Sequence, residues 1–538
     1  MTSNLDDRLG EMSSLGANGS GGKRQAASKY HKTMQSDGAC LTLRHAFGVE
    51  GGIRDNVAFV TVTDPDADAG GLAVGYLVHP VGQQVALNRI DDGSMKFLTG
   101  RQKNVREVLA LSVSPNKRVI AVCERSRALD EDSGNAQARR STTDDAVSVY
   151  HVANCKRIRT MLFPGRGDFV SCCFSGDNRW LSTACRDLDS NIVVWNWDKE
   201  KVDRTAPNHG FTANRVAFNP GDHNFLTTSG PMHLRLWYAA SDNILKAYAI
   251  LPQAREQDNF ADHSWIGRSA GQPTRMVAIT DGEGGAGATH GQRGPSVLVF
   301  DTIDGPPYLE IKQTLHVPLP LTSRLETLIP FGKGFVVAGG GINGYLGVYE
   351  NMDDIRDPYM LIKSFSAKGA VLAGLTLNRN SETLYAYSKS NELLTFNLGN
   401  MDVLDEGVNH FQTLLQGGNH TAPVAAMDAC LTKPIVVTVG EDRVLRVWNY
   451  LKWKCDVVYD FRNDDPNCVS LHPMGFQVAV GFKDRIRIYS VLMEGLRLLR
   501  DIAQKNCRAI GYAHGGHLLA AACGFSVVVY SSITAQQV

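Results

Sequence analysis

From about residue 37 onward the chain alternates short apolar runs with polar turns, and the alternation persists to Tyr530. The unit is a short apolar run, a turn carrying Ser-Pro, Asn-Pro or a polar pair, a second run, a polar tight turn, and a third run ending in an aromatic residue. Copies include VLALSVSPNKRVIAVCE with AVSVYHV after an insertion, FVSCCFSGDNRWLSTACRDLDSNIVVWNW and RVAFNPGDHNFLTTSGPMHLRLWY. The clearest is HTAPVAAMDACLTKPIVVTVGEDRVLRVWNY, followed by CVSLHPMGFQVAVGFKDRIRIYS and AIGYAHGGHLLAAACGFSVVVYS. Val444, Arg446 and Trp448 alternate with Leu445 and Val447, a period of two that predicts strands. Little of the chain has helical period or length.

A repeat of roughly 40 to 50 residues with several short strands suits a four-stranded propeller blade. The expected fold class is all-β: a WD-repeat β-propeller. About ten sheets are expected, beginning near Phe59, and one ring ordinarily closes with about four to eight blades. The domain expectation is therefore a polar disordered tail over 1–36, a seven-bladed propeller over 37–416, and three blades of a second, incomplete propeller over 417–538. An early strand around Leu43 to Val49 could seal the first ring. A further chain or missing segment is expected to complete the second, because an open arc leaves an apolar flank in water.

The clearest copy carries polar residues that a blade would have to bury. His420 precedes the first strand, Thr438 lies on the second, Asp442 in the tight turn and Trp448 on the third. A buried indole N–H and imidazole must find partners, so these four are expected to form one hydrogen-bonded chain. His420 is accordingly a structural histidine rather than a metal ligand or base. Other copies keep parts of the set: Asp189 and Trp195 in one, Trp237 in another.

Composition narrows the partners. The formal net charge of the 538 residues is +0, so no global field draws the chain to nucleic acid or an anionic membrane. No run of about 18 apolar residues offers a membrane span, and MTSNLDDRLG has no apolar signal-peptide core. The 11 cysteines are odd in number and lack C-x-x-C spacing, which predicts reduced core thiols and no zinc site. The insertions Ala128 to Asp145 and Gly282 to Gly294 are expected to be loops.

Motifs of catalysis fail on context. GRSAG, Gly267 to Gly271, matches a nucleophile elbow around Ser269, but that motif needs a following helix and TRMVAIT has strand character. GEGGAG, Gly282 to Gly287, matches a dinucleotide fingerprint, again without the helix whose N-terminus would hold the pyrophosphate. Arg166, Gly167 and Asp168 mark the entry to a blade. Lys156, Arg157 and Arg159 form a solvated edge. No catalytic residue, cofactor or metal ligand is expected.

Several blocks go beyond generic repeats: HAFGV, LALSVSPNKRVIAVCER, DSNIVVWNWDKEKV, KPIVVTVGEDRVLRVWNY, and SLHPMGFQVAVGFKDRIRIY with GGHLLAAACG. In order and spacing they resemble the N-terminal WD-repeat region of the cilia- and flagella-associated protein 57 family over roughly residues 44 to 530. That resemblance implies a cytoskeletal protein of the ciliary or flagellar axoneme, two propellers followed by a coiled coil, and a link with inner dynein arms. This sequence has no sustained heptads. The implied function is a non-enzymatic scaffold that helps dock or regulate inner dynein arms on doublet microtubules in cilium motility. Its partners would be axonemal proteins, inner dynein arm components and tubulin. A general intracellular interaction module in a transport or ubiquitin-related complex is the alternative.

Overall fold

The computed structural model describes residues 43–538 apart from 50–52, 54–55, 64–72, 100–104, 127–144, 164–166, 187–190, 209, 240–244, 253–254, 257, 268–273, 285–293, 321–322, 341–343, 353, 355, 368, 407 and 415–417. The expected tail over 1–36 lies outside these residues. The described residues form ten antiparallel sheets, nine of four strands and a last one of three, with no α-helix and a 3-10 turn at Met401–Val403. The fold is the all-β propeller architecture. Each sheet is built from consecutive strands in chain order.

The sheets begin with β1 (Ala58–Thr63), β5 (Val105–Val113), β9 (Phe169–Phe174), β13 (Arg215–Phe218), β17 (Asp258–Ile266), β21 (Leu325–Phe331), β25 (Leu372–Leu377), β29 (Val424–Ala429), β33 (Pro466–Leu471) and β37 (Cys507–Tyr512). These first strands alternate, as LAGLTL does in β25, with every second residue buried. Inner sheet positions are covered on both faces, so β22 (Gly334–Gly339, GFVVAG) is buried at every residue. The outermost β8 (Arg157–Leu162) is mostly wet, and its Arg159 pairs with Asp198 and Glu200.

A buried apolar cluster fills each gap between successive sheets from the first to the seventh. A further one, with Val57, Phe59 and Leu77 against Tyr385, Tyr387 and Leu393, joins the seventh back to the first. Two more clusters join the eighth to the ninth and the ninth to the tenth. Large apolar side chains in these gaps each contribute about 1.5–3 kcal/mol of burial. The tenth sheet adds β38 (Leu518–Cys523) and β39 (Ser526–Ser531), and has one covered face. On its other face Val527 is 71% exposed.

The segment 43–49 is not a strand. The first and seventh sheets already have four strands each, so no ring edge needs it. Instead Val49 is buried at the seam of those two sheets. The Phe47 ring lies 4.5 Å from Trp448, and the His45 ring stacks 4.3 Å from Trp453. Phe47 thus packs on the Trp448 ring of the eighth sheet.

Candidate functional site: buried wiring and a cationic cavity

In the eighth sheet, Thr438 sits on β30 (Ile435–Gly440) and Trp448 on β31 (Val444–Asn449). Trp448 donates its indole N–H to Thr438 Oγ1 at 2.8 Å, and that hydroxyl lies 2.7 Å from His420 Nε2. His420 Nδ1 lies 3.0 Å from both carboxylate oxygens of Asp442. An ionised carboxylate only accepts, so the Nδ1 facing Asp442 carries a proton. Burial alone would raise the Asp442 carboxyl, but the hydrogen bond and charge of His420 and the N–H groups of Thr421 and Val444 outweigh it and hold it below its ordinary value. Gly440 leaves the space: a Cβ there would stand 2.4 Å from Asp442 Oδ1 and 2.7 Å from His420 Nδ1.

The third sheet keeps the indole half. Trp195 on β11 (Ile192–Asn196) donates to Thr183 Oγ1 at 3.0 Å; Asp189 lies outside the described residues. The fourth sheet makes a chain that the sequence did not disclose. Trp237 on β15 (His233–Ala239) donates to Thr228 Oγ1 at 2.9 Å, and Thr228 Oγ1 lies 2.7 Å from His233 Nε2. Asn208, ahead of β13, approaches the same nitrogen at 3.3 Å. Trp265 on β17 donates across to Thr227 of the fourth sheet at 2.9 Å, with His263 between Thr227 at 2.8 Å and Ser229 at 2.7 Å. Burial, then Arg235 and His263, hold His233 down to about 3. Burial and Arg215 hold His263 down to about 3 against the pull of Asp262.

A second kind of polar bond links sheets along their first strands. In each case a side chain accepts the backbone N–H of a residue on the next first strand. Ser171 takes Val216 N at 3.3 Å, Asp262 takes Leu328 N at 3.0 Å, Asp428 takes Leu471 N at 2.7 Å, and Ser470 takes Tyr512 N at 3.2 Å. The same bond runs from the seventh sheet to the first: Thr376 Oγ1 accepts Phe59 N at 3.0 Å. Alternating strands carry many Ser, Thr and Asp residues, so nothing local marks these as stitches.

Where the first strands of the first three sheets begin, a cavity of about 620 Å³ opens. Arg106, Arg125 and Arg186 line it with Glu107, Asp168 and Phe169. Arg125 is held between the carboxylates of Glu107 and Asp168. Arg106 and Arg186 are exposed. This arrangement can hold an anionic group by charge and hydrogen bonds; it contains no nucleophile beside a base. Asp168, from the Arg166–Asp168 tripeptide at the entry to β9, was missed as a cavity residue because its partner Arg125 lies on β6 (Val119–Ser126).

Ser269 lies outside the described residues, in the connection from β17 to β18 (Arg275–Gly284), so the GRSAG motif joins two strands. Gly282 to Gly284 close β18 rather than opening a loop, and 285–287 lie outside the described residues. Of the insertion Ala128 to Asp145, expected as a loop, the last residue, Asp145, is fully buried and accepts Gly167 N at 2.9 Å. Nine of the ten described cysteines are buried, and no group of three His, Cys, Asp or Glu side chains among the described residues is placed to hold a metal. No helix among them is long and apolar enough to cross a membrane.

Four-stranded sheets in series, stacked through apolar clusters and wired by Trp–Thr–His chains, define a WD-repeat β-propeller protein. The family model for the WD domain, G-beta repeat, matches residues 155–196, across the second and third sheets. Homologues named cilia- and flagella-associated protein 57 extend over nearly all of the chain. The Mus musculus protein is 24% identical over 92% of this chain and 40% of its own length. Protein 57 C of Tetrahymena thermophila is 22% identical over 89% of this chain and 39% of its own. Echinoderm microtubule-associated protein-like 1 of Rattus norvegicus is 22% identical over 82% of this chain and 50% of its own. The chain thus spans about 40% of the length of the two cilia- and flagella-associated relatives.

Proposed function

We propose that this chain is a non-enzymatic scaffold of the ciliary or flagellar axoneme. It helps dock or regulate inner dynein arms on doublet microtubules. The observation that carries this is the likeness to cilia- and flagella-associated protein 57 over 92% of the chain. The stacked, stitched sheets support it physically, since rigid elements present binding loops with little ordering cost. Within this proposal residues 37–416 form a seven-bladed propeller and 417–538 begin a second one. The chain from His420 through Thr438 to Trp448, with Asp442, serves stability rather than binding, as do Trp195 and Trp237.

The likeness to a microtubule-associated protein favours a second element, direct contact with tubulin. Both are tested by fractionating demembranated axonemes and by co-sedimenting the purified chain with microtubules. Retention in axonemes, released together with inner dynein arm components, supports the adaptor. Salt-sensitive pelleting with bare microtubules supports tubulin contact. Recovery in the soluble fraction alone would overturn the axonemal reading in favour of a general interaction module.

A further inference from the structure

At the opposite rim, where the first strands end, the turns of the fourth and fifth sheets enclose a second cavity of about 370 Å³, within the roughly 300–1,000 Å³ typical of ligand sites. Its walls are aromatic: Phe225 from the start of β14 (Phe225–Gly230), Trp265 from β17, and Tyr308 from the turn between β19 (Ser296–Thr302) and β20 (Leu309–His316). The Phe225 and Tyr308 rings lie 5.2 Å apart, and Tyr248 packs edge-on against Tyr308 at 5.1 Å. Two carboxylates, Asp222 and Asp304, line the cavity, and no basic side chain among the described residues does.

The carboxylates differ from others nearby. Asp301 is engaged by Arg275 at 2.7 Å. Asp222 is oriented by the backbone and side-chain N–H groups of Asn224, at 3.0 and 2.9 Å, and Asp304 is exposed. The turn itself is pinned, with Tyr308 N on Gly305 O at 2.8 Å and Ile303 N on Tyr308 O at 3.0 Å. Tyr308 has a φ of 67°, a left-handed conformation that a bulky residue keeps only where its surroundings impose it. Its ring is held by those of Phe225, Tyr238 and Tyr248, 5.2, 5.9 and 5.1 Å away, before any ligand arrives.

We propose that this cavity binds a lysine or arginine side chain presented by a basic segment of a partner protein. Aromatic faces attract a cation through their quadrupoles. The two carboxylates supply the opposite charge. An anion would be repelled, and a neutral apolar group would desolvate both carboxylates without compensation. The inference uses the scaffold reading only in taking the partner to be a protein, and it holds whichever cellular structure the chain serves.

The test titrates the full chain into fluorescein-labelled Gly/Ser peptides bearing four arginines, four lysines or four glutamates, read by anisotropy. The expected result is saturable binding of the basic peptides that weakens with salt and that excess unlabelled glutamate peptide does not displace. Asp304→Asn and Tyr308→Leu should each weaken basic-peptide binding by roughly tenfold. Arg106→Ala, in the other cavity, should leave it unchanged. Should Tyr308→Leu lower the melting temperature, Asp304→Asn decides, since that side chain is exposed. Basic peptides that fail to bind, or that bind both variants as tightly as the parent, would overturn the proposal. A negative axoneme fractionation would leave it standing.

Discussion

The fourth and eighth sheets bury the same indole–hydroxyl–imidazole chain with the imidazole supplied from different places. In the eighth, His420 comes from the connection before the first strand and its partner Asp442 from the tight turn. In the fourth, the histidine, His233, comes from the turn side, and the connection supplies Asn208. The geometry at the indole is nearly unchanged, with Trp N–H to Thr Oγ1 at 2.8 and 2.9 Å. What the sheet requires is therefore a satisfied indole, not a particular residue order. The exchange has an electrostatic consequence. His420 faces a carboxylate, whereas His233 faces a neutral amide and has Arg235 nearby.

Acid should separate the two sheets most strongly. His233 and His263 have folded values near 3, well below the ordinary imidazole value of about 6.5. The unfolded chain then binds protons that the folded one refuses. Their stabilisation is complete above about 6.5 and is lost as the pH falls toward 3. Asp442 is depressed from 3.8, so its contribution is lost only below that value. Hydrogen-exchange protection factors, corrected for intrinsic rate, should therefore fall further in the fourth and fifth sheets between pH 6.5 and 4.5 than in the eighth, where burial holds His45, at the sheet's margin on Trp453, down to about 4. Equal losses in both regions would break the comparison.

Next in size, Trp237→Ala should cost about 3–5 kcal/mol in chemical denaturation, because it removes a fully enclosed ring and strands the Thr228 hydroxyl. Asp442→Ala should cost about 1–3 kcal/mol by leaving the His420 Nδ1 proton unpaired. A thermal melt without a shift would refute that wiring. Asn208→Ala should be the mildest, about 0.5–1.5 kcal/mol, since His233, Thr228 and Trp237 keep their mutual bonds. A cost matching that of Asp442→Ala would mean the amide acts as the carboxylate does.

How much was legible follows from whether a role is local in sequence. Strand succession could be counted because each sheet uses consecutive segments and its alternation is local. His420, Thr438, Asp442 and Trp448 could be proposed together because each occupies its familiar place in the unit. His233 and Asn208 could not, because Asn208 stands where the unit's histidine was sought and His233 on the turn side, where its aspartate was sought. The segment 43–49 has an apolar pattern that suits an edge strand, yet its partners Trp448 and Trp453 belong to a distant part of the chain. The Arg125 site was hidden for the same reason: Glu107, Arg125 and Asp168 belong to three different strands or their approaches.

The bond between Phe59 and Thr376 joins residues 317 apart in sequence. A chain made from its N-terminus must therefore complete the first strand of the seventh sheet before the first sheet finds its last neighbour. Until then Val57, Phe59 and Leu77 face a gap that Tyr385, Tyr387 and Leu393 have yet to fill. Each intervening sheet can settle on the one before it as it emerges, but this seam has to wait, and closing so long a span carries an entropic cost that local hairpins do not bear. During synthesis the vulnerable part of this protein is thus its beginning rather than its growing end, and a chaperone that shields nascent apolar surface has the first sheet as its natural client.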